Sequence, residues 1–329
     1  MRISTSAFCA LFSLVSVGWA GSIQAGGASP LASCLAGGRE ACAIYDTGSR
    51  NGRPNLIAID DLSDLAKHVA GMKPADILIL GEAHDNPHHH TLRAGLLSAP
   101  AIVMEQLRAD QESGVAAFNE FNAEPGRAAT LEDLKSKVGW EKGGWDKYPY
   151  DPLLAALVAT RAPIYAGDPP RDVIRKAAKE GSTALPEADR TRLALDVPLG
   201  PELDAASADE IEASHCGMLP KTAIPGMAFA QRYRDAHLAD ATLQAATRHG
   251  QAILLTGNNH ARTDRGVPWY LRARAPGKTV VSVVFVEVED GKWDPEAYVP
   301  RGPDGKAAAD YLVFTPTIAR DDPCKAFGK

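Results

Sequence analysis

The sequence lacks a long apolar segment beyond its first residues, and it lacks an excess of basic residues. After position 20 no uninterrupted apolar run reaches the length of about 20 residues that a membrane-spanning helix needs. The 35 basic residues against 41 acidic ones give a formal net charge of −6. This balance excludes the basic stripe that general nucleic-acid binding requires. No repeat or low-complexity tract appears, so we expect a globular protein whose partner is a small molecule or a protein.

Cysteine is also scarce, with five residues, and the positions of the cysteines indicate an exported protein. Residues 1–20 combine one basic residue, an apolar run and the small-residue ending Gly18-Trp19-Ala20, a pattern typical of a secretory signal peptide. We therefore expect the protein in the periplasm or at the outer membrane, where disulfides persist. Four cysteines remain after removal of the signal segment, and they allow three pairings: Cys34, Cys42, Cys216 and Cys324.

The segment Leu31-Ala32-Ser33-Cys34 resembles a bacterial lipobox, in which the cysteine is acylated after cleavage. The apolar part of the signal segment ends near Trp19, however, and a lipobox normally follows that part directly. We therefore favour a Cys34–Cys42 disulfide over a lipid anchor. The protein would contact a membrane only if Cys34 were acylated.

Apolar runs and helical patterns alternate along most of the chain. This order predicts an α/β fold with a mainly parallel sheet flanked by helices. Helices are predicted between the strands, and the last strand is predicted to lie at an edge of the sheet. The predicted strands cover residues 77–80, 101–104, 163–166, 252–256, 280–286 and 311–314.

Two regions depart from this alternation. Residues 21–55 are rich in Gly, Ser, Arg and Asn and are predicted to be a loop-rich N-terminal segment. Residues 171–249 contain no convincing strand, and we predict an all-helical insertion that forms a smaller subdomain. The α/β domain would then consist of residues 56–170 and 250–329.

Two predicted strands end in the same pattern, Gly-x-x-His. Gly81-Glu82-Ala83-His84 follows the first strand, and Gly257-Asn258-Asn259-His260 follows the fourth. Ligands of open α/β sheets bind at the carboxyl ends of the strands. Both histidines should therefore face one shared crevice.

Other polar residues follow the same strand ends. Any one of them is weak evidence, because loops are polar by default. Four strands that deliver acids, imidazoles and a guanidinium to one edge indicate a functional site. The residues concerned are Glu82, His84, Asp85, Glu105, Gln106, Asp168, Asn258, His260 and Arg262.

The residues after His84 predict the start of a helix. Asn86 suits the N-cap and Pro87 suits the first helical position. The N-terminus of that helix would favour an anionic ligand group near the crevice. Of the three following histidines, at most one or two can face inward, and we expect His89 and His90 at the surface.

The acids and imidazoles fit two kinds of chemistry. His84, His260 and Glu82 are ligand types of a divalent metal such as zinc or iron. The same residues together with Glu105 also suit metal-free acid–base catalysis, with an imidazole oriented by a carboxylate. A third interpretation is a hydrogen-bond network that only fastens the loops.

Several motifs occur in one order between Asp76 and Pro316, and together they resemble one family. They are Gly-Glu-Ala-His-Asp-Asn-Pro-His-His, Met104-Glu105-Gln106, Trp140 with Trp145 and Tyr148, Pro169-Pro170-Arg171, His215-Cys216-Gly217, Gln231 with Arg234-Asp235, Gly-Asn-Asn-His-Ala-Arg, and Asp310 to Pro316. The chain resembles the ChaN family of bacterial haem-binding, iron-regulated lipoproteins. That family is similar to the TIKI metalloproteases and the erythromycin esterases, which share paired Gly-x-x-His motifs.

The resemblance implies a haem cofactor held between the subunits of a homodimer. It also implies a tyrosine as axial ligand, with a histidine of the other subunit nearby. The helical insertion offers Tyr233, His237 and His215 as candidates, because all three are haem-ligand types. Asn258 and Arg262 are candidate cofactor contacts, and Arg262, Arg232 or Arg234 would suit the propionates.

Three functional hypotheses follow. The first is an exported haem-binding protein that serves haem or iron uptake, as the resemblance implies. The second is a hydrolase of the TIKI or erythromycin-esterase type that uses Glu82, His84, Glu105 and His260, with or without a metal. The third is a protein whose crevice has lost its chemistry and which binds partners through its helical region.

Overall fold

The computed structural model describes residues 31–32, 41, 43–71, 75–322 and 324–325. The predicted signal peptide, Cys34 and Cys42 lie outside these residues, so the signal-peptide and lipobox predictions stay predictions. In the part of the chain that is described, no helix combines the length and the apolar character needed to cross a membrane.

Eight strands of the described residues form a single sheet. The apolar runs predicted from the sequence form most of this sheet. Each strand continues past the carboxyl end that the sequence predicted for it. The strands are β1 (Ala43–Asp46), β2 (Asn55–Ala58), β3 (Ile77–Glu82), β4 (Ile102–Arg108), β5 (Ile164–Asp168), β6 (Ala252–Gly257), β7 (Val280–Val288) and β8 (Tyr311–Pro316).

The strands are arranged in the order β2-β1-β8-β7-β3-β6-β4-β5. From β8 to β5 all neighbours are parallel, whereas β1 pairs antiparallel with both β2 and β8. The predicted fold class, a mainly parallel sheet flanked by helices, is confirmed. The prediction that the last strand lies at an edge is wrong. Two short strands in and just after the predicted loop-rich segment cover it, and their length and mixed polarity hid them.

Helices fill most of the connections between the parallel strands, as crossover connections require. They are α1 (Leu62–Gly71), α2 (Pro87–Ala94), α3 (Glu112–Ala123), α4 (Leu131–Val138), α5 (Trp140–Gly143), α6 (Asp151–Thr160), α7 (Arg171–Glu180), α8 (Glu187–Arg192), α9 (Pro201–Ser214), α10 (Ile224–His249) and α11 (Val267–Arg274). Short 3₁₀ turns cover Ala109–Gln111, Gly181–Ala184 and Pro295–Tyr298.

The sheet separates two apolar clusters. Alternate residues of β3 show the two faces, since Ile77 and Ile79 belong to one cluster and Leu80 to the other. The first cluster contains the buried side of α10, including Leu238, which lies against Gly167 of β5. Residues 171–249 are helical and without strands throughout, as predicted, and α10 joins them to the main core. Whether the other helices of this region form a separate subdomain stays a prediction.

Candidate functional site

The two Gly-x-x-His motifs lie side by side. Strands β3 and β6 are neighbours and run parallel, with Glu82 paired to Gly257 in the register. His84 and His260 follow at the same edge, where the side chain of Glu105 on β4 lies within 3.7 Å and 3.4 Å of their Nε2 atoms. The predicted shared crevice is therefore confirmed.

Glu105 is the carboxylate at the centre of this edge. It is buried, and its Oε2 accepts hydrogen bonds from the backbone N–H of Gly257 at 2.6 Å and from Thr256 Oγ1 at 2.8 Å. Its Oε1 accepts from Arg234 Nη2 at 2.9 Å and faces the two histidines. Burial by itself raises the pKa of Glu105, but the interactions with His260 first and then with His84 overcome it and hold the pKa well below its usual value.

Glu82 forms a second buried carboxylate centre. Its Oε1 accepts from Tyr150 OH at 2.6 Å, from Gln106 Nε2 at 2.9 Å and from His84 Nδ1 at 2.9 Å. The other oxygen faces His90 Nε2 at 3.2 Å and the guanidinium of Arg93, which is fully buried. The buried guanidinium of Arg93 is therefore the counter-ion of Glu82.

His84 joins the two centres and is partly open to solvent. Its side chain is 30% exposed, whereas those of Glu82 and Glu105 are buried. Burial is the main reason that its pKa is lowered, with Glu105 acting in the opposite direction. The ring is therefore neutral at pH 7. Because the carboxylate of Glu82 can only accept a hydrogen bond from Nδ1 of His84, the hydrogen-bond network assigns the proton to Nδ1 and leaves Nε2 with a free lone pair.

His260 has the opposite protonation state. Burial lowers its pKa, but the carboxylates of Glu105 and Asp235 outweigh burial and raise it to about 10. Asp235 Oδ1 lies 2.7 Å from Nδ1 of His260. At neutral pH the site therefore contains a neutral imidazole and an imidazolium on either side of one carboxylate.

Helix α10 closes the site from the helical region. Gln231, Arg234 and Asp235 share one face of it because they are three and four residues apart. Gln231 Nε2 lies 3.1 Å from His260 Nδ1, and Arg234 Nε donates to Asp168 Oδ1 at the end of β5 at 2.8 Å. Together with the bond from Arg234 to Glu105, these contacts connect the ends of three strands, β4, β5 and β6, to the helix.

Aromatic side chains line the open side of His84. The ring of Trp145 lies 4.9 Å from the imidazole, and Tyr148 lies 6.1 Å from Trp145. Both side chains are only partly buried. The crevice thus has a polar floor of carboxylates and imidazoles and one aromatic wall.

The structure places the predicted ligands of the helical insertion away from this floor. Tyr233 is only 6% exposed and packs in the first apolar cluster, with its ring 6.1 Å from that of His237. His237 Nδ1 bonds to the carbonyl of Gly167 at 2.8 Å. His215 Nδ1 bonds to the carbonyl of Ile211 at 2.8 Å at the end of α9.

The two predicted cofactor contacts at the end of β6 have local partners. Asn258 donates from Nδ2 to the carbonyl of Phe285 at 2.8 Å, which ties the loop to β7. Arg262 donates to Asp264 at 3.0 Å and 2.6 Å and to the carbonyl of Arg301 at 2.9 Å. Each has a bracing contact in this structure.

The predicted helix start is observed, but the histidines after it differ from the prediction. Asn86 caps α2 by accepting from the N–H of His88 at 2.9 Å, and Pro87 is the first helical residue. The expected surface positions of His89 and His90 are wrong, since both are fully buried. His90 stacks on Tyr150 at 4.0 Å, and His89 Nε2 lies 2.9 Å from Thr315 Oγ1. Hydrogen-bond partners on both ring nitrogens compensate for the loss of water around His89, and Nδ1 of His90 bonds to the carbonyl of Pro149 at 2.9 Å.

Sequence reasoning missed Arg93, His90 and Tyr150 as parts of the site. His90 and Arg93 are three residues apart on α2, a spacing that places both on one helix face and could have indicated a shared acidic partner. Tyr150 gave no such signal, because its partner Glu82 lies far away in the sequence.

The metal hypothesis finds no geometric support. Among the residues that the structure describes, no three His, Cys, Asp or Glu side chains are placed to hold a metal ion together. Oε1 of Glu82 accepts from three donors and Oε2 faces the guanidinium of Arg93, and His260 is held between two carboxylates. Nε2 of His84 is the nitrogen of this set that is free to coordinate.

The fold and the site define a class: a helix-covered α/β protein with two histidines around a buried carboxylate at the carboxyl edge of its sheet. The family described as haem-binding uptake, Tiki superfamily, ChaN matches residues 68–271. The chain therefore belongs to the ChaN family, as its motifs suggested. The comparison with curated proteins gives no significant match.

Two solved structures are similar to the chain. ChaN of Campylobacter jejuni, described as binding haem cofacially, has a TM-score of 0.58 at 17% identity, over 82% of this chain and 95% of that one. This likeness supports the fold. A succinoglycan biosynthesis protein has a TM-score of 0.35 at 13% identity over 70% of each chain, a similarity too low to support a shared fold.

Proposed function

We propose that this protein binds haem in the crevice at the carboxyl edge of the sheet, with His84 Nε2 as an iron ligand. The observation that carries the proposal is the state of His84: a neutral, partly exposed imidazole whose Nδ1–H is held by buried Glu82 at 2.9 Å. A carboxylate on the far ring nitrogen fixes the tautomer and makes the coordinating nitrogen more basic. Membership of a family described as haem-binding supports haem as the bound molecule.

The surroundings of His84 suit a porphyrin. Trp145 and Tyr148 provide an aromatic wall beside the imidazole, against which a flat macrocycle can pack. Lys147 lies 4.8 Å from the Tyr148 ring, and Arg171 donates to the carbonyl of Gly143 at 2.5 Å, so two cations lie near this wall. They could pair with the propionates. When bound, the haem would supply an iron centre for ligand or electron chemistry.

Haem titration followed by the Soret band tests the proposal. His84→Ala should weaken haem binding at least about tenfold and change the spectrum, because an axial ligand is lost. His68→Ala is the matched control, since His68 lies on α1 and its side chain is 36% exposed. Tyr148→Phe and Tyr233→Phe test the tyrosine ligand that the family resemblance implies. Wild-type affinity and spectrum in the His84 variant would refute His84 as the ligand.

Export and a role in haem or iron uptake are part of the proposal. The Cys216–Cys324 disulfide supports an oxidising compartment such as the periplasm. It also leaves Cys34 and Cys42 for each other, in line with the pairing that we favour over acylation of Cys34. Cell fractionation, together with growth of a deletion strain on haem as the sole iron source, tests location and role. The intact mass of the mature protein distinguishes the disulfide from the lipid.

A homodimer with haem between its subunits is the arrangement that the family resemblance favours. Light scattering coupled to gel filtration, with and without one equivalent of haem, tests it directly. Dimer formation that depends on haem supports a shared site. A protein that binds the haem and remains a monomer would contradict the shared site but not haem binding itself.

A hydrolase is the second candidate, and the paired protonation states of the histidines favour it. Neutral His84 could accept a proton from a water that attacks a carbonyl, while cationic His260 could donate one to the leaving oxygen. An assay of ester and lactone hydrolysis, with His84→Ala and His260→Gln beside the wild type, tests this candidate. Activity that survives both changes belongs to another site or to a contaminant.

A further inference from the structure

A cavity lies at the amino-terminal edge of the sheet, which is opposite the edge that carries His84 and His260. Its volume is about 810 Å³, and it is formed by residues 47–50, 263–272, 276–280 and 301–310. Val280 is the first residue of β7 and Asp310 directly precedes β8, so the cavity lies beside the amino-terminal ends of these strands. His84 and His260 lie at the carboxyl ends, and neither lines this cavity.

Cations outnumber acids on the walls of the cavity. The cationic residues are Arg50, Arg272, Lys278, Arg301 and Lys306, and the acidic ones are Asp264, Asp304 and Asp310. The side chain of Lys306 is 83% exposed and contributes little to the interior.

The acids that are least exposed already have partners. Asp264 contacts Arg262 at 2.6 Å and Arg265 at 3.1 Å, so two guanidiniums share one carboxylate. Asp310 accepts from Ser49 Oγ at 2.7 Å and from the backbone N–H of Ser282 at 2.9 Å. Two of the cations have acidic partners outside the cavity, Lys278 with Asp76 at 3.0 Å and Arg301 with Glu296, which leaves the two other arginines as the cations available to a ligand.

Two arginines of the cavity donate to neutral carbonyls. Arg50 Nη1 donates to the carbonyl of Val280 at 2.7 Å and lies 3.6 Å from Asp310. Arg272 donates to the carbonyl of Thr263 and has no carboxylate within ion-pair distance among the described residues. Burial lowers the pKa of Arg272, and Asp310 and Asp264 act against that shift. Arg272 is thus an exposed charge with no direct counter-ion in the part of the chain that is described.

We infer that this cavity is a binding site for a small phosphorylated molecule, separate from the haem crevice. Guanidinium groups bind phosphate oxygens with two parallel hydrogen bonds, and Arg50 and Arg272 are placed on two walls to do so. The volume falls within the range of pockets that hold organic ligands and is far larger than a free phosphate needs. Hydroxyl groups of Ser49 and Thr279 add neutral polar contacts for the rest of the molecule.

Calorimetric titration at 0.15 M salt tests the site, with inorganic phosphate and fructose 1,6-bisphosphate as the two probes. We expect saturable binding, tighter for the bisphosphate, that Arg272→Met and Arg50→Met each weaken about tenfold. Arg175→Met is the matched control, because Arg175 is an exposed arginine of α7 outside the cavity. Haem titration of the same variants should give the wild-type result.

Three outcomes would overturn the inference. One is no saturable binding of either probe to the wild-type protein. Another is an equal loss in the Arg175 variant, which would show attraction to surface charge in general. The third is wild-type affinity in both cavity variants. If Arg272→Met fails to fold, Arg50→Met decides, since Arg50 is an exposed residue.

Discussion

His84 and His260 lie on either side of Glu105, with their Nε2 atoms 3.7 Å and 3.4 Å from the same carboxylate oxygen. One imidazole is neutral because burial lowers its pKa, and the other is charged because Glu105 and Asp235 together raise its pKa against burial. Glu82, which faces the neutral one, is already paired with the buried guanidinium of Arg93. Asp235, which faces the charged one, has His260 and few other partners. Two copies of the Gly-x-x-His pattern thus end in histidines with different protonation states.

Removal of the Glu105 carboxylate should destabilise the protein strongly. Glu105→Ala leaves Arg234 and His260 without their shared partner in a buried site, which costs about 3–5 kcal/mol. Glu105→Gln keeps an acceptor for Thr256 and Gly257 and should cost less. The free energy of unfolding in urea measures both. Glu124→Ala, at an exposed ion pair with Arg127, should cost below about 1 kcal/mol, and an equal effect at both positions would contradict the assigned role.

Stability should fall as the pH rises above neutrality, because of His260. Its pKa is about 10 in the folded protein and 6.5 in the reference state. Between these values the folded protein keeps a proton that the unfolded chain has released, so the stabilisation is complete below pH 6.5 and is lost towards pH 10. Urea unfolding at pH 7, 8 and 9 should show this slope in the wild type. His260→Gln should be less stable throughout and have a flatter profile, and parallel profiles would rule out His260 as the source.

On the acid side, His89 should contribute a slope of the opposite sign. Burial lowers its pKa to about 3, so the folded protein resists a proton that the unfolded chain accepts near pH 6.5. Its stabilisation is complete above pH 6.5 and is lost as the pH falls towards 3. Acidic residues titrate in the same range, so the measurement is the difference between wild type and His89→Gln. His68→Gln should follow the wild type, and a wild-type slope in His89→Gln would disprove the contribution.

The Cys216–Cys324 disulfide should stabilise the protein by several kcal/mol. It joins residues 108 positions apart, and closing a loop of about 100 residues is worth about 4.7 kcal/mol in the chain-entropy model. Cys324→Ser, or treatment with a reductant, should lower the midpoint of urea unfolding. Peptide mapping under non-reducing conditions shows whether the bond is present. An intact bond whose loss leaves the midpoint unchanged would contradict the prediction.

The strands and the crevice could be predicted because their signals are local. The apolar runs before Gly81 and Gly257 mark buried parallel strands, and parallel strands place their ends at one edge. His84, Glu105 and His260 therefore met as expected. The position of β8 could not be predicted, because its cover comes from Ala43–Asp46, a four-residue strand from the other end of the chain.

The partners of the site residues were harder to predict than the residues themselves. Histidine is usually found at the surface, and the burial of His89 and His90 is explained only by their contacts with Thr315, Tyr150 and Glu82. Tyrosine is a residue type that can ligate haem iron, but Tyr233 is buried in the first apolar cluster. Tertiary contacts decide such cases, and a pattern within one helix does not contain them.

The pairing of Ala43–Asp46 with Tyr311–Pro316 has a consequence for biogenesis. The chain must be synthesised as far as Pro316 before this part of the sheet can form, and such distant pairings make folding slow. Until then the apolar strand β7 has an unpaired edge that stays open to chaperones.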